Sequence, residues 1–112
     1  RPPLDETQLA YEILAIGMQR APAPVLLINE PMLVSQGENS HIRYNFFYPR
    51  WAYDDYREHL AEKAAENDWN YLDLWDILDA DEFTNSAIHL TPQGTSLLAL
   101  RILEAIQEDC GQ

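Results

Sequence analysis

Cysteine is nearly absent from this 112-residue sequence: only Cys110 is present, so no internal disulfide can form and no cysteine cluster can hold a metal. Basic side chains are scarce as well. Seven Lys and Arg stand against nineteen Asp and Glu, a formal charge of −12. A field of that sign opposes phosphate backbones and anionic lipid, so nucleic acid is not an expected partner. No apolar run approaches the roughly 20 residues needed to cross a bilayer, and no membrane span is expected. His41, His59 and His89 fall at no compact ligand spacing, so neither a metal nor a cofactor is expected. Internal repeats, low-complexity tracts and a dividing linker are missing too, which limits the chain to one domain at most. The opening Arg1-Pro2-Pro3 carries no initiator methionine and no apolar leader. We therefore expect a piece of a longer polypeptide, a single partial domain whose compartment the sequence leaves open.

What is present alternates between helical and extended patterns. Asp5 with Gln8 has capping-box spacing, and Leu9, Ile13 and Ile16 with Ala10, Leu14 and Met18 give a wide apolar helical face that Pro22 and Pro24 must end. Val25-Leu26-Leu27-Ile28 is a continuous apolar run, as expected of a strand buried on both faces. From Asn29 to Tyr48 no period emerges, and a connection of that length inside a compact domain is often a lid or binding loop. A second helix is expected from Pro49 or Arg50 to about Asn67, with Tyr53, Tyr56, Leu60 and Ala64 facing inward. Trp69 to Trp75 reads as a second strand, and Asp76 to Glu82 as an acidic turn or short helical piece. Helix, strand, helix, strand, helix is the order of a parallel α/β layer, with Val25–Ile28 beside Tyr71–Leu74.

The chemistry-bearing segment is Phe83-Thr84-Asn85-Ser86-Ala87-Ile88-His89-Leu90-Thr91-Pro92-Gln93-Gly94. Thr91 is suited to cap the last helix and Pro92 to be its first residue, where no amide hydrogen is needed. His89 is thus delivered on a short loop to a helix start, ahead of the apolar series Leu97, Leu98, Leu100, Ile102, Leu103 and Ile106. An imidazole with an unperturbed pKa of about 6.5 is suited to proton transfer there. A second cluster interleaves Arg43, Arg50 and Arg57 with Tyr44, Phe46, Phe47, Tyr48, Trp51, Tyr53 and Tyr56. It admits two readings: substrate contact through Arg43 and Arg50, holding an anionic or sugar-like ligand, or a core or subunit interface with the arginines paired to Asp54, Asp55 or Glu58. Asn29 and Glu30 follow the first strand, at the edge where open α/β sheets bind ligands, and are candidate substrate contacts. Asp73 reads as a hydrogen-bonding residue at a strand end.

Val25-Leu26-Leu27-Ile28-Asn29-Glu30-Pro31, Tyr48-Pro49-Arg50-Trp51-Ala52-Tyr53, Tyr71-Leu72-Asp73-Leu74-Trp75 and His89-Leu90-Thr91-Pro92-Gln93-Gly94 together resemble the C-terminal half of an SGNH (GDSL-like) hydrolase, over about residues 23–106. The resemblance implies a flavodoxin-like three-layer α/β/α fold. It also implies an esterase or acyl-transfer activity on a small-molecule ester, in which a serine upstream attacks the carbonyl and His89 is the general base. No Gly-Asp-Ser occurs in this sequence, and the family's nucleophile and oxyanion blocks are missing with it. The family commonly has an aspartate three residues before the histidine; Ser86 stands there, leaving Asn85 and Ser86, or Asp81, Asp79 or Glu82 where the loop folds back, as candidates to orient the ring. The competing expectation is a non-catalytic α/β module that associates with itself or with the missing half, since two strands leave a sheet edge uncovered.

Overall fold

A computed structural model describes residues 3–5 and 9–110. It is a mixed α/β structure: α1 (Tyr11–Arg20), β1 (Leu26–Asn29), α2 (Arg50–Glu66), β2 (Asn70–Asp73), a single 3₁₀ turn (Ala80–Glu82) and α3 (Pro92–Cys110). The two strands pair in parallel with Leu26 opposite Asn70, Leu27 opposite Tyr71, Ile28 opposite Leu72 and Asn29 opposite Asp73. The pairing continues past the strands, because Leu74 N–H donates to Asn29 O and Met32 N–H to Trp75 O.

Element order and parallel pairing agree with the sequence patterns; the boundaries do not. β1 starts one residue after Val25 and takes in Asn29, while β2 starts at Asn70 and stops at Asp73. Hydrogen bonding rather than apolarity sets these limits, and the two polar residues belong to the ladder because they bond each other. The first helix begins at Tyr11 rather than after Asp5, with Ala10 at its N-cap and no side-chain cap. Tyr11 is the buried residue of that helix, so packing fixes the start where no cap does. The expected partner of Asp5, Gln8, lies outside the described residues, as does the side chain of Cys110.

The core lies around α2 and the segment that follows β1. Met32, Tyr44 and Tyr53 are buried together, and Val34, Tyr48, Tyr56 and Trp75 pack against them. Tyr44 meets Tyr53 and Trp75 edge-on, with ring centroids 5.9 and 4.9 Å away, an arrangement that suits aromatic quadrupoles. On α2, Tyr53, Leu60 and Ala64 are buried at helical spacing and Tyr56 is half-buried, as the apolar pattern requires. His59 on α2 is half-buried: its Nε2 lies 3.0 Å from Leu4 O, because the segment before α1 crosses the helix there. Leu4 N–H also donates to Asp55.

The long connection from Glu30 to Pro49 has little regular structure but is tied down throughout. Ser35 N–H donates to Tyr44 O, Tyr44 N–H to Tyr48 O, and Arg43 bridges to Pro49. Asn45, only 2% exposed, organises the tip. Its Nδ2 donates to Leu33 O, and its Oδ1 accepts the amides of Phe47 and Tyr48. The turn chemistry of asparagine is thus used at full capacity.

Candidate functional site

The carboxyl edge of the sheet opens on a cleft of about 530 Å³. Asn29, Glu30 and Pro31 line it, together with the rings of Tyr48, Tyr53 and Tyr56 and with Ile88 of the His89 loop. A polar network underlies it. Asn29 Nδ2 donates to Tyr53 Oη and to Asp73 Oδ1, 3.0 Å each, and Tyr56 Oη donates to Asn29 Oδ1 at 3.4 Å. Arg57 holds the other oxygen of Asp73 through both Nε and Nη2 at 3.0 Å, with its guanidinium 4.2 Å from the Trp75 ring. Asp73 is therefore the strand-end hydrogen-bonding residue that its position suggested. Arg57 pairs with it rather than with Asp54, Asp55 or Glu58, because the inner face of α2 looks onto β2.

The phenols of this region are held in their neutral form. Burial pushes the Tyr53 phenol up to about 12 despite the opposing hydrogen bond from Asn29, and burial also raises Tyr56, with Asp73, Tyr48 and Glu30 adding to the effect. Tyr44 is raised by burial and by its hydrogen bond to Asp54. Tyr71 is raised mainly by burial, and its hydroxyl has no partner among the described residues.

His89 lies on a loop pinned from both ends. Phe83 and Leu90 form an antiparallel bridge, Thr84 N–H donates to His89 O, and Thr91 N–H donates to Glu82 O. Leu33 N–H donates to Ala87 O, which fastens the loop to the segment leaving β1. Thr91 caps α3 as its sequence position requires: Oγ1 accepts the Gly94 amide at 3.0 Å, and the helix starts at Pro92. Gly94 is needed here, since a Cβ on it would sit 2.9 Å from Glu82 O. The His89 side chain is exposed and borders a hollow of about 330 Å³ shared with Phe47, Tyr48, Ser86, Ala87 and Ile88. Tyr48 and Ile88 belong to both this hollow and the main cleft, so the two adjoin.

Two of the residues weighed for orienting the ring are occupied otherwise. Ser86 Oγ accepts the amides of Ile88 and His89, at 3.3 and 3.0 Å, and so shapes the turn. Asn85 Oδ1 accepts from Thr84 Oγ1, and Asp81 is exposed on the 3₁₀ turn. Among the described residues none of the three hydrogen-bonds the His89 imidazole. Asn29 and Glu30 both line the main cleft, whereas Arg43 and Arg50 do not. Arg43 borders a separate hollow with Phe46, Phe47 and Trp51, and Arg50 lies over the Tyr44 ring at 4.3 Å while donating to Ser40 O. Sequence reasoning passed over Asn45. Its only signal is an asparagine set among aromatics just before a helix start.

Among the described residues no three His, Cys, Asp or Glu side chains are grouped to hold a metal, and no helix is long and apolar enough to cross a membrane. No family model, no curated protein and no solved structure matches the chain.

Proposed function

We propose that this chain is the C-terminal part of an SGNH-type serine hydrolase acting on a small-molecule ester, with His89 as general base. The observation that carries the reading is the placement of an exposed imidazole on a pinned loop, adjoining a cleft at the carboxyl edge of a parallel sheet. In this reading the serine comes from a segment outside the 112 residues. Ser35 Oγ donates to Tyr44 O and Ser86 is spent on its turn, so neither is poised against His89. The same segment would supply the further strands of a flavodoxin-like three-layer fold. The serine oxygen attacks the ester carbonyl as His89 accepts its proton; the imidazolium returns that proton to the leaving alcohol, and water then releases the acid by the same exchange in reverse. Among the described residues no carboxylate bonds the ring, and in its simplest form the proposed site is a serine–histidine pair.

The test is ester hydrolysis by the full-length protein. Replacing His89 with Ala should lower kcat by at least about 100-fold while the far-ultraviolet circular dichroism stays unchanged. An intact protein that is neither labelled by a phosphonate serine-hydrolase probe nor able to cleave activated esters would overturn the proposal. A second reading, an α/β module that works by association with itself or with a missing half, is favoured by one observation. Leu97, Leu100, Leu103 and Ile106 lie exposed at helical spacing on α3. Sedimentation of the purified chain at micromolar concentration distinguishes a self-associating module from a monomer.

A further inference from the structure

The main cleft is selective in what it can hold. Its aromatic wall is continuous: Tyr48 lies against Tyr53 with ring centroids 5.5 Å apart, and Tyr53 against Tyr56 at 5.6 Å. Pro31, Pro49 and Ile88 add apolar surface. Glu30 is the one charged side chain among the described lining residues, which include no Lys, Arg or His. It is exposed and makes no ion pair among the described residues, and its charge is felt at the neighbouring Tyr56 phenol. The nearby arginines are committed elsewhere, Arg50 to Tyr44 and Arg57 to Asp73 and Trp75. Tyrosine ring faces are electron-rich, and a carboxylate beside them favours positive charge. An anion would meet Glu30 and the field of a chain with net charge −12.

We propose that this cleft binds a small organic cation of the quaternary-ammonium class, its methylated head against the tyrosine wall and its charge toward Glu30. A strongly hydrated primary ammonium matches such a wall less well, because its hydrogen bonds to water find few replacements among rings and aliphatic groups. The cleft's size leaves room for a substituent on the cation beyond the head group. The cleft is the one that the hydrolytic reading uses for its substrate, but the cation's binding is measured with no bond broken, so the two readings fail separately.

Isothermal titration of the full-length protein with choline, and with its neutral isostere in which a tert-butyl group replaces the trimethylammonium, decides the matter. Choline should bind at least about tenfold more tightly than the isostere. Glu30→Gln, a change at an exposed side chain that leaves the core intact, should weaken choline about fivefold or more and leave the isostere unchanged. Equal affinities for the two compounds, no choline binding at millimolar concentration, or a choline affinity indifferent to Glu30→Gln would each overturn the proposal. The same titration on His89→Ala should give the wild-type affinity, so a failed esterase with an intact cation site, or the converse, is read directly.

Discussion

Around Tyr53 the chain covers its own apolar surface; along α3 it does not. Met32, Tyr44 and Tyr53 are buried together with Tyr48, Tyr56 and Trp75 packed against them, and beside them every polar atom of Asn29's side chain is engaged. On α3, Leu97, Leu100, Leu103 and Ile106 are 42%, 57%, 48% and 45% exposed, and Ile13 on α1 is 73% exposed. The two regions are similarly rich in large apolar side chains, so composition does not separate them. The difference lies in whether another element of the chain reaches them. α2 is delivered onto β2 by the crossover, whereas α3 is fastened at its start by the Thr91 cap and the close approach of Gly94 to Glu82, with Ala105 buried further along and its leucines left out. Stability is thus concentrated in the aromatic and polar centre, while α3 keeps surface for something else to cover.

The sharpest way to break this contrast is Asn29→Ala. It removes the shared partner of Asp73, Tyr53 and Tyr56 at a site only 7% exposed, and should cost about 2–4 kcal/mol in urea unfolding. A loss under about 1 kcal/mol would show that aromatic packing alone holds the centre.

Part of that centre could be read from the amino acids alone. Strand–helix–strand order, the inward face of α2 and the Thr91-Pro92 helix start follow from local periodicity and capping, which need only near neighbours in sequence. Asn29 and Glu30 were placed at the binding edge by the general geometry of parallel sheets. The path of residues 30–49 was not legible, because its order comes from contacts distant in sequence: Met32 to Trp75, Leu33 to Ala87, Arg50 to Ser40. The partners of Arg57 and His59 were missed for the same reason. A charge pattern along one helix favours near neighbours such as Glu58, while the fold brought in Asp73 and Leu4. What covers α3 is legible in neither sequence nor fold.

Alkaline pH should sharpen the comparison next. A phenol raised in the folded state keeps its proton where the unfolded one, near pH 10, has lost it. Stability is fully present below pH 10 and falls as pH climbs, through the Tyr53 value of about 12, by up to about 1.4 kcal/mol per pH unit for each such tyrosine. Urea midpoints measured from pH 9 upward should show the decline, and Tyr53→Phe should make it shallower.

Gly94→Ala probes how α3 is fastened. The added methyl would meet a carbonyl already engaged by Thr91 N–H, so strain should outweigh the helix propensity gained, for a net loss of about 1 kcal/mol in thermal unfolding. Smallest of all should be Leu100→Gln, within about 0.5 kcal/mol for unfolding of the chain by itself. The same substitution should reduce the sedimentation coefficient if α3 is an interface, and a large loss of intrinsic stability would mean that the helix is already covered.

The Asn29–Asp73 pair has a consequence for how the sheet finds its alignment. Leu26, Leu27 and Ile28 opposite Asn70, Tyr71 and Leu72 form a largely greasy ladder. Sliding one strand by two residues would return each side chain to its own face at modest cost in apolar contact. Such a slide would set Asn29 against Tyr71 or Trp75 and leave the Asp73 carboxylate without its amide. Two polar side chains at the end of the ladder therefore act like the notch on a key, telling the correct alignment from its near copies where the hydrophobic residues cannot.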